Sequence, residues 1–172
     1  MNKIILLGYM GSGKSTIAKL LAQKMGFRFR DLDETIEAEE SNSIKTIFEQ
    51  KGEIYFRKAE HRIFKNLMAS SESFVLSLGG GTPCYANNHE LFTGESVTSI
   101  YLKASIDALY DRLIKDKADR PLIADKNDSE MREFIAIHLF ERSFFYTKAS
   151  HTISVDNKSP DEIVTEIEKL LV

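Results

Sequence analysis

The sequence predicts an α/β protein in three layers, with a parallel sheet packed between helices. Two observations carry this. Strand-like apolar runs alternate with amphipathic helical runs along the whole chain, and the runs at 3–7 and 74–78 are apolar at four of five positions, as strands covered on both faces are. Parallel strands joined by helices imply right-handed crossovers.

In chain order, "KIILL" (3–7) is the first buried strand, and "KSTIAKLLAQKM" (14–25) sets Ile17, Leu20, Leu21 and Met25 on one helical face until Gly26 stops it. "FRFR" (27–30) alternates apolar and basic residues, which suits a strand at the sheet edge with one wet face. Two helical segments follow, one around "SIKTIFEQ" and one over "EIYFRKAEHRIFKNLMA", which aligns Phe56, Ile63, Phe64 and Leu67. Phe74 to Leu78 is a second buried strand that runs into three glycines. Strands at 97–102 and 151–155 alternate with helices near 105–115 and 129–143. A last helix opens with Ser159 as N-cap and Pro160 at its first position.

The chain has 172 residues, the size of one domain, so a single domain over 1–172 is expected. Its 26 acidic and 23 basic residues leave a net charge of -3, which argues against a nucleic-acid partner. Cys84 is the only cysteine; it has no partner for a disulfide or a zinc site and fits a reducing compartment. The apolar run in "MNKIILLGY" is too short for a signal peptide or a membrane span, so a cytoplasmic location is expected.

"GYMGSGKS" (8–15) matches the phosphate-loop pattern G-x-x-x-x-G-K-[ST] between strand and helix, where that pattern belongs. Its glycines let successive backbone N–H groups turn inward onto phosphate oxygens, and the helix that begins at Lys14 adds its positive end. Lys14 supplies a charge for the β- and γ-phosphates, and the Ser15 hydroxyl a ligand for Mg²⁺. No guanine-reading motif follows: "NKSPDE" (157–162) has Pro160 where an Asp is needed.

Four features point to a small acceptor. Asp31 and Asp33 stand at the carboxyl end of the second strand, the edge where open α/β sheets bind ligands. Asp31 suits either the water shell of a metal or a helix N-cap, and Asp33 an acceptor hydroxyl. Gly79, Gly80 and Gly81 end another strand at that edge and let backbone approach a ligand. Arg57 and Arg142, each on a helix, can grip a carboxylate through a bidentate fork. "KADRPLI" (117–123) reads as a loop carrying Arg120, placed to close over a transferring phosphoryl group.

These residues resemble the shikimate kinase family. The motifs are "GYMGSGKST" (8–16), Asp31 with Asp33, "GEIYFRKAE" (52–60), "LSLGGG" (76–81), "RPL" (120–122), and Arg142 with Tyr146 and Ala149, in order over nearly the whole chain. The resemblance implies a P-loop kinase fold of the nucleoside-monophosphate-kinase type, with a five-stranded parallel sheet of order 2-3-1-4-5. It implies a substrate-binding region at about 33–62 and a lid at about 112–125. The implied activity is ATP-dependent phosphorylation of the shikimate 3-hydroxyl, in aromatic amino-acid (chorismate) biosynthesis, by a monomer.

Carried over residue by residue, the resemblance implies that Gly11, Ser12, Gly13, Lys14, Ser15 and Thr16 hold ATP, with Arg112 and the turn at 157–160, including Pro160, beside adenine. Asp33, Lys14 and Arg120 would be catalytic. Asp33, Arg57, Gly79, Gly80, Gly81 and Arg142 would bind shikimate, with Glu60 orienting Arg57. Mg²⁺ would sit on Ser15, and on Asp31 through water. Tyr9 and the stretch 82–88 fall in variable surroundings and carry no role. Two rival readings stay open: a kinase of another small hydroxylated acid such as gluconate, and a non-catalytic nucleotide-binding module.

Overall fold

A computed structural model describes residues 2–115 and 123–171. Its five strands form one parallel sheet: β1 (Lys3–Leu7), β2 (Arg28–Asp31), β3 (Phe74–Ser77), β4 (Val97–Lys103) and β5 (His151–Ser154), in the order β2-β3-β1-β4-β5. The expected order 2-3-1-4-5 is the observed one.

Strand β1 lies at the centre, and Ile4, Ile5, Leu6 and Leu7 are fully buried, as a strand covered by helices on both faces requires. β2 is the edge, and its Arg28 and Arg30 pair with Glu72 at 3.3 and 3.0 Å along the exposed side. Register matters more for function. Leu6 and Asp31 both pair with Ser77, so the segments leaving β1, β2 and β3 emerge at one level of one sheet edge.

Helices α1 (Lys14–Met25), α2 (Leu32–Glu40), α3 (Ile44–Ala69), α4 (Ile106–Leu113), α5 (Asp128–Tyr146) and α6 (Pro160–Leu170) complete the order. α1 packs on β3 and β2 and against α6. The caps follow the local sequence. Gly26 ends α1 in the left-handed region, and Ser159 opens α6 with a capping box over Pro160.

Three elements differ from expectation. Residues 32–40 form α2, a helix not anticipated there, because Asp31 caps it and Leu32 and Ile36 supply one buried apolar edge among acids. The two segments at 43–50 and 53–69 are arms of one bent helix, α3, with the bend at Gly52 (φ 79°). α5 runs on through Tyr146, which puts Arg142 inside the helix rather than at its end.

Candidate active site

The phosphate loop joins β1 to α1. Gly8 sits at φ 146°, and a Cβ there would lie 2.7 Å from the Leu102 carbonyl oxygen, so no other residue fits. The first turn of α1 has no side-chain cap, which leaves its N–H groups turned toward the cleft. Lys14, nearly buried, donates from Nζ to the carbonyls of Gly8 and Tyr9, 2.9 Å each. Ser12 Oγ is buried without a hydrogen-bond partner, an orphan that a phosphate oxygen satisfies.

The loop borders a cleft of about 310 Å³ lined by Gly11, Gly13, Lys14, Ser15, Thr16, Asp31, Asp33, Ser77 and the first two glycines of the triplet, with Met10 at its rim. Asp31 is the N-cap of α2, and its other oxygen faces the phosphate loop. Its Oδ1 caps α2 by accepting from the N–H groups of Asp33 and Glu34, while its Oδ2 accepts from Ser15 Oγ at 2.9 Å. Ser77 Oγ stands 3.2 Å from the same Ser15 oxygen. The cluster offers only hard oxygen donors; no group of three or more His, Cys, Asp or Glu suited to a metal exists among the described residues.

A second pocket of about 180 Å³ adjoins the first. Ile44, Phe48 and Phe56 wall it, Arg57 and Glu60 enter from α3, and Gly79 to Gly81 form its floor. Asp33, Gly79 and Gly80 line both cavities, so the junction lies at the Asp33 carboxylate. Burial first, then the negative charges of Asp31, Glu60 and Glu37 against the pull of Lys14, push Asp33 up to about 6.

Each glycine of the triplet makes room for one side chain. A Cβ on Gly79 would lie 3.0 Å from Asp33 Oδ1, one on Gly80 3.3 Å from Arg142 Nη1, and one on Gly81 3.0 Å from Arg57 Nη2. The three expected acceptor side chains therefore converge on one turn.

Arg57 is fixed from two sides. Its Nη1 donates to the buried Glu60 Oε2 at 2.9 Å, and its guanidinium stacks 3.9 Å above the Tyr85 ring. Glu60 Oε1 accepts from Thr82 Oγ1 at 2.7 Å, and Asn88 Nδ2 donates to the Thr82 carbonyl. Arg142 Nη2 lies 3.2 Å from His138 Nε2, and Tyr146 OH donates to the Gly80 carbonyl at 2.6 Å. Burial pushes the Cys84 thiol up to about 11 against the opposing charges of Arg142 and Arg57, which disfavours the thiolate.

Sequence reasoning assigned no role to Tyr9, Ser77, Thr82, His138 or Tyr146. Tyr9, Ser77 and Tyr146 stood inside quoted motifs and His138 lies one helical turn before Arg142, which were usable signals. Thr82 gave none, because its partner Glu60 is distant in sequence. Arg112 lines a separate pocket of about 370 Å³ with Ser105, Asp107, Ala108, Asp111, Asp156 and Asn157, and its Nη1 donates to the Gly11 carbonyl at 3.1 Å. Pro160, three residues past Asn157, opens α6. Arg120, with residues 116–122 of the expected lid, lies outside the described residues. No described helix is long and apolar enough to cross a membrane.

The family model for shikimate kinase matches residues 10–172. A shikimate kinase of Flavobacterium johnsoniae is 57% identical over 171 residues, 99% of each chain. A solved shikimate kinase of Bacteroides thetaiotaomicron matches with a TM-score of 0.89 at 33% identity, covering 99% of this chain and 98% of that one. The shikimate kinase of Acinetobacter baumannii in complex with shikimate gives 0.87 at 30% identity, covering 99% and 93%. A match over nearly the whole chain, by sequence and by fold, is decisive: the chain belongs to the shikimate kinase family.

Proposed function

We infer that the protein transfers the γ-phosphoryl group of ATP to the 3-hydroxyl of shikimate, giving ADP and shikimate 3-phosphate. The observation that carries this reading is the junction of the two pockets at Asp33, with an anion cradle on one side, Arg57 on the other, and Arg142 against Gly80, which borders both. A small cyclic acid with a ring hydroxyl set apart from its carboxylate suits that arrangement. The shikimate held by the Acinetobacter baumannii relative is such an acid.

In this reading the region 33–62 binds shikimate. Arg57 and Arg142 take its carboxylate, and the backbone of Gly79 to Gly81 its ring edge. Asp33 orients the attacking hydroxyl and accepts its proton as the new O–P bond forms and the bond from Pγ to the ADP oxygen breaks. The transition state spreads charge over the γ-phosphate oxygens. Lys14, Ser12 and the N–H groups of Gly11, Gly13, Ser15 and Thr16 are aimed at that charge, and Arg120, on a lid at 112–125, joins them. Adenine rests beside Arg112 and the turn before Pro160.

The oxygens of Ser15 and Asp31 fit Mg²⁺, which takes few protein ligands and fills its shell with water and phosphate oxygens. When bound, the ion offsets charge on the β- and γ-phosphates. Action as a monomer belongs to this reading, and the single cysteine suits the cytoplasm.

A coupled assay of ADP release with shikimate, with gluconate and with no acceptor tests the reading. Shikimate-dependent turnover is expected. Turnover with gluconate alone, or no acceptor-dependent ADP, overturns it.

A further inference from the structure

His138 lies on α5 one turn before Arg142, and both of its ring nitrogens have partners. Nε2 is 3.2 Å from Arg142 Nη2, and Nδ1 is 3.1 Å from the hydroxyl of Tyr9 in the phosphate loop. A guanidinium has donors only, so Nε2 must accept. The ring proton then sits on Nδ1 and is donated to the Tyr9 oxygen. Only this neutral tautomer satisfies both contacts. A second proton would set N–H against N–H and cation against cation.

The ring is held in place as well as bonded. It packs at 4.8 Å from Phe134 and meets Tyr9 edge-on at 5.8 Å, while Tyr9 itself is almost completely buried. The charged and titratable groups around it are Arg142 and Glu141 on α5 and Tyr9 from the loop; Lys126, just before α5, lies over the Phe134 ring. Burial and then Arg142 hold the imidazole below its ordinary value, with Glu141 opposing.

We propose that neutral His138 is a positioning residue for the acceptor: its Nε2 lone pair holds Arg142 against Gly80, and Tyr9 fixes His138 in turn. The phosphate loop and the carboxylate-binding arginine thereby form one hydrogen-bonded unit. The bridge explains why a tyrosine in the loop, far from any nucleotide chemistry of its own, is buried with its hydroxyl turned toward α5. The inference rests on the reading of Arg142 as a ligand of the shikimate carboxylate.

The test is the dependence of shikimate KM, kcat and ATP KM on pH for the wild type, His138→Leu, His138→Gln and Arg142→Ala, with folding checked by thermal melts. His138→Leu removes the acceptor and should raise shikimate KM about 10-fold or more at every pH, with much smaller changes in kcat and ATP KM. Glutamine places an amide oxygen near the Nε2 position and does not titrate. His138→Gln should therefore recover most of the wild-type KM at pH 8 and show a smaller rise in KM on acidification than the wild type, the remainder coming from Asp33, which both share.

If Arg142→Ala raises shikimate KM but both His138 variants leave it within twofold, the positioning role is overturned while the site reading stands. If Arg142→Ala itself leaves KM unchanged, the site reading falls and takes the proposal with it. Should the leucine variant fail to fold, a glutamine variant whose acid rise in KM is as large as the wild type's overturns the proposal alone, since Asp33 contributes equally to both.

Discussion

The two sides of the cleft are built by different means. The phosphate side is contiguous: residues 8–16 supply backbone N–H groups, a helix N-terminus and one lysine, and little depends on side-chain rotamers. The acceptor side is assembled from α2, α3, the glycine turn and α5, and each of its side chains is held by a neighbour. Glu60 holds Arg57, His138 contacts Arg142, and the glycine turn packs against all three acceptor groups. A backbone site is specified by a local motif, whereas a side-chain site needs the whole fold plus buried polar partners to fix its geometry. Mutations on the two sides should accordingly separate ATP effects from shikimate effects.

The largest expected effect is at the junction. Asp33→Asn should lower kcat by about 10²–10⁴-fold and leave ATP affinity nearly unchanged. In the wild type, kcat/KM for shikimate should fall as pH drops through about 6, because the base must be ionised in the free enzyme. Stopped-assay kinetics from pH 5 to 8 check both; near-normal turnover of Asp33→Asn would remove Asp33 from the chemistry. Next comes Arg57→Ala, which should raise shikimate KM about 100-fold, since truncation also leaves buried Glu60 without its cation. ATP KM should move little. An equal rise in both constants would break the proposed division of the cleft.

This asymmetry also explains what could be read in advance. β1, the loop and α1 were legible because a buried strand, a glycine pattern and an amphipathic face are all short-range signals. Asp33, Arg57 and Arg142 could be singled out as acceptor candidates from their chemistry and place in the chain, but only the family resemblance gave them shikimate, since nothing local separates them from solvated surface charges. α2 was missed because Asp31 ends a strand and caps a helix at once, and the acids after it thin out the apolar pattern. Tyr9 was set aside as variable, and Thr82 with the stretch after the glycines. Their hydrogen-bond partners, His138 and Glu60, lie too far along the chain for any periodicity to connect them. The glycine triplet was expected to admit a ligand, and the structure adds that it admits the three side chains.

Stability should trade against function at Asp33. The folded protein holds that proton more tightly than the unfolded chain, with a value of about 6 against an ordinary 3.8. Below both values the group contributes nothing to the difference. As pH rises from about 4 to 6, native stability falls, and above 6 the charged carboxylate costs about 3 kcal/mol. Asp33→Asn removes that cost. Denaturant melts should show the variant more stable than wild type at pH 8 and equal to it near pH 4; equal stability at both would mean the carboxylate is not strained by its surroundings.

The smallest effect discriminates most finely between the two sides. Gly81 has φ −89° and ψ −18°, a conformation that alanine adopts without strain. Replacing glycine there should stabilise the fold by about 0.4–1 kcal/mol through the unfolded chain. The only objection to a Cβ is Arg57, whose Nη2 and Nη1 would lie 3.0 and 3.3 Å from it. The guanidinium can shift, but not without moving against Glu60 and Tyr85. Gly81→Ala should therefore melt no lower than wild type and still raise shikimate KM several-fold. Ser12→Ala is its mirror on the phosphate side: it removes a buried orphan hydroxyl, so it should raise ATP KM a few-fold and leave shikimate KM alone. If Gly81→Ala instead changes ATP KM, or if Ser12→Ala changes shikimate KM as strongly, the cleft is one coupled site, and its two modes of construction do not divide its work.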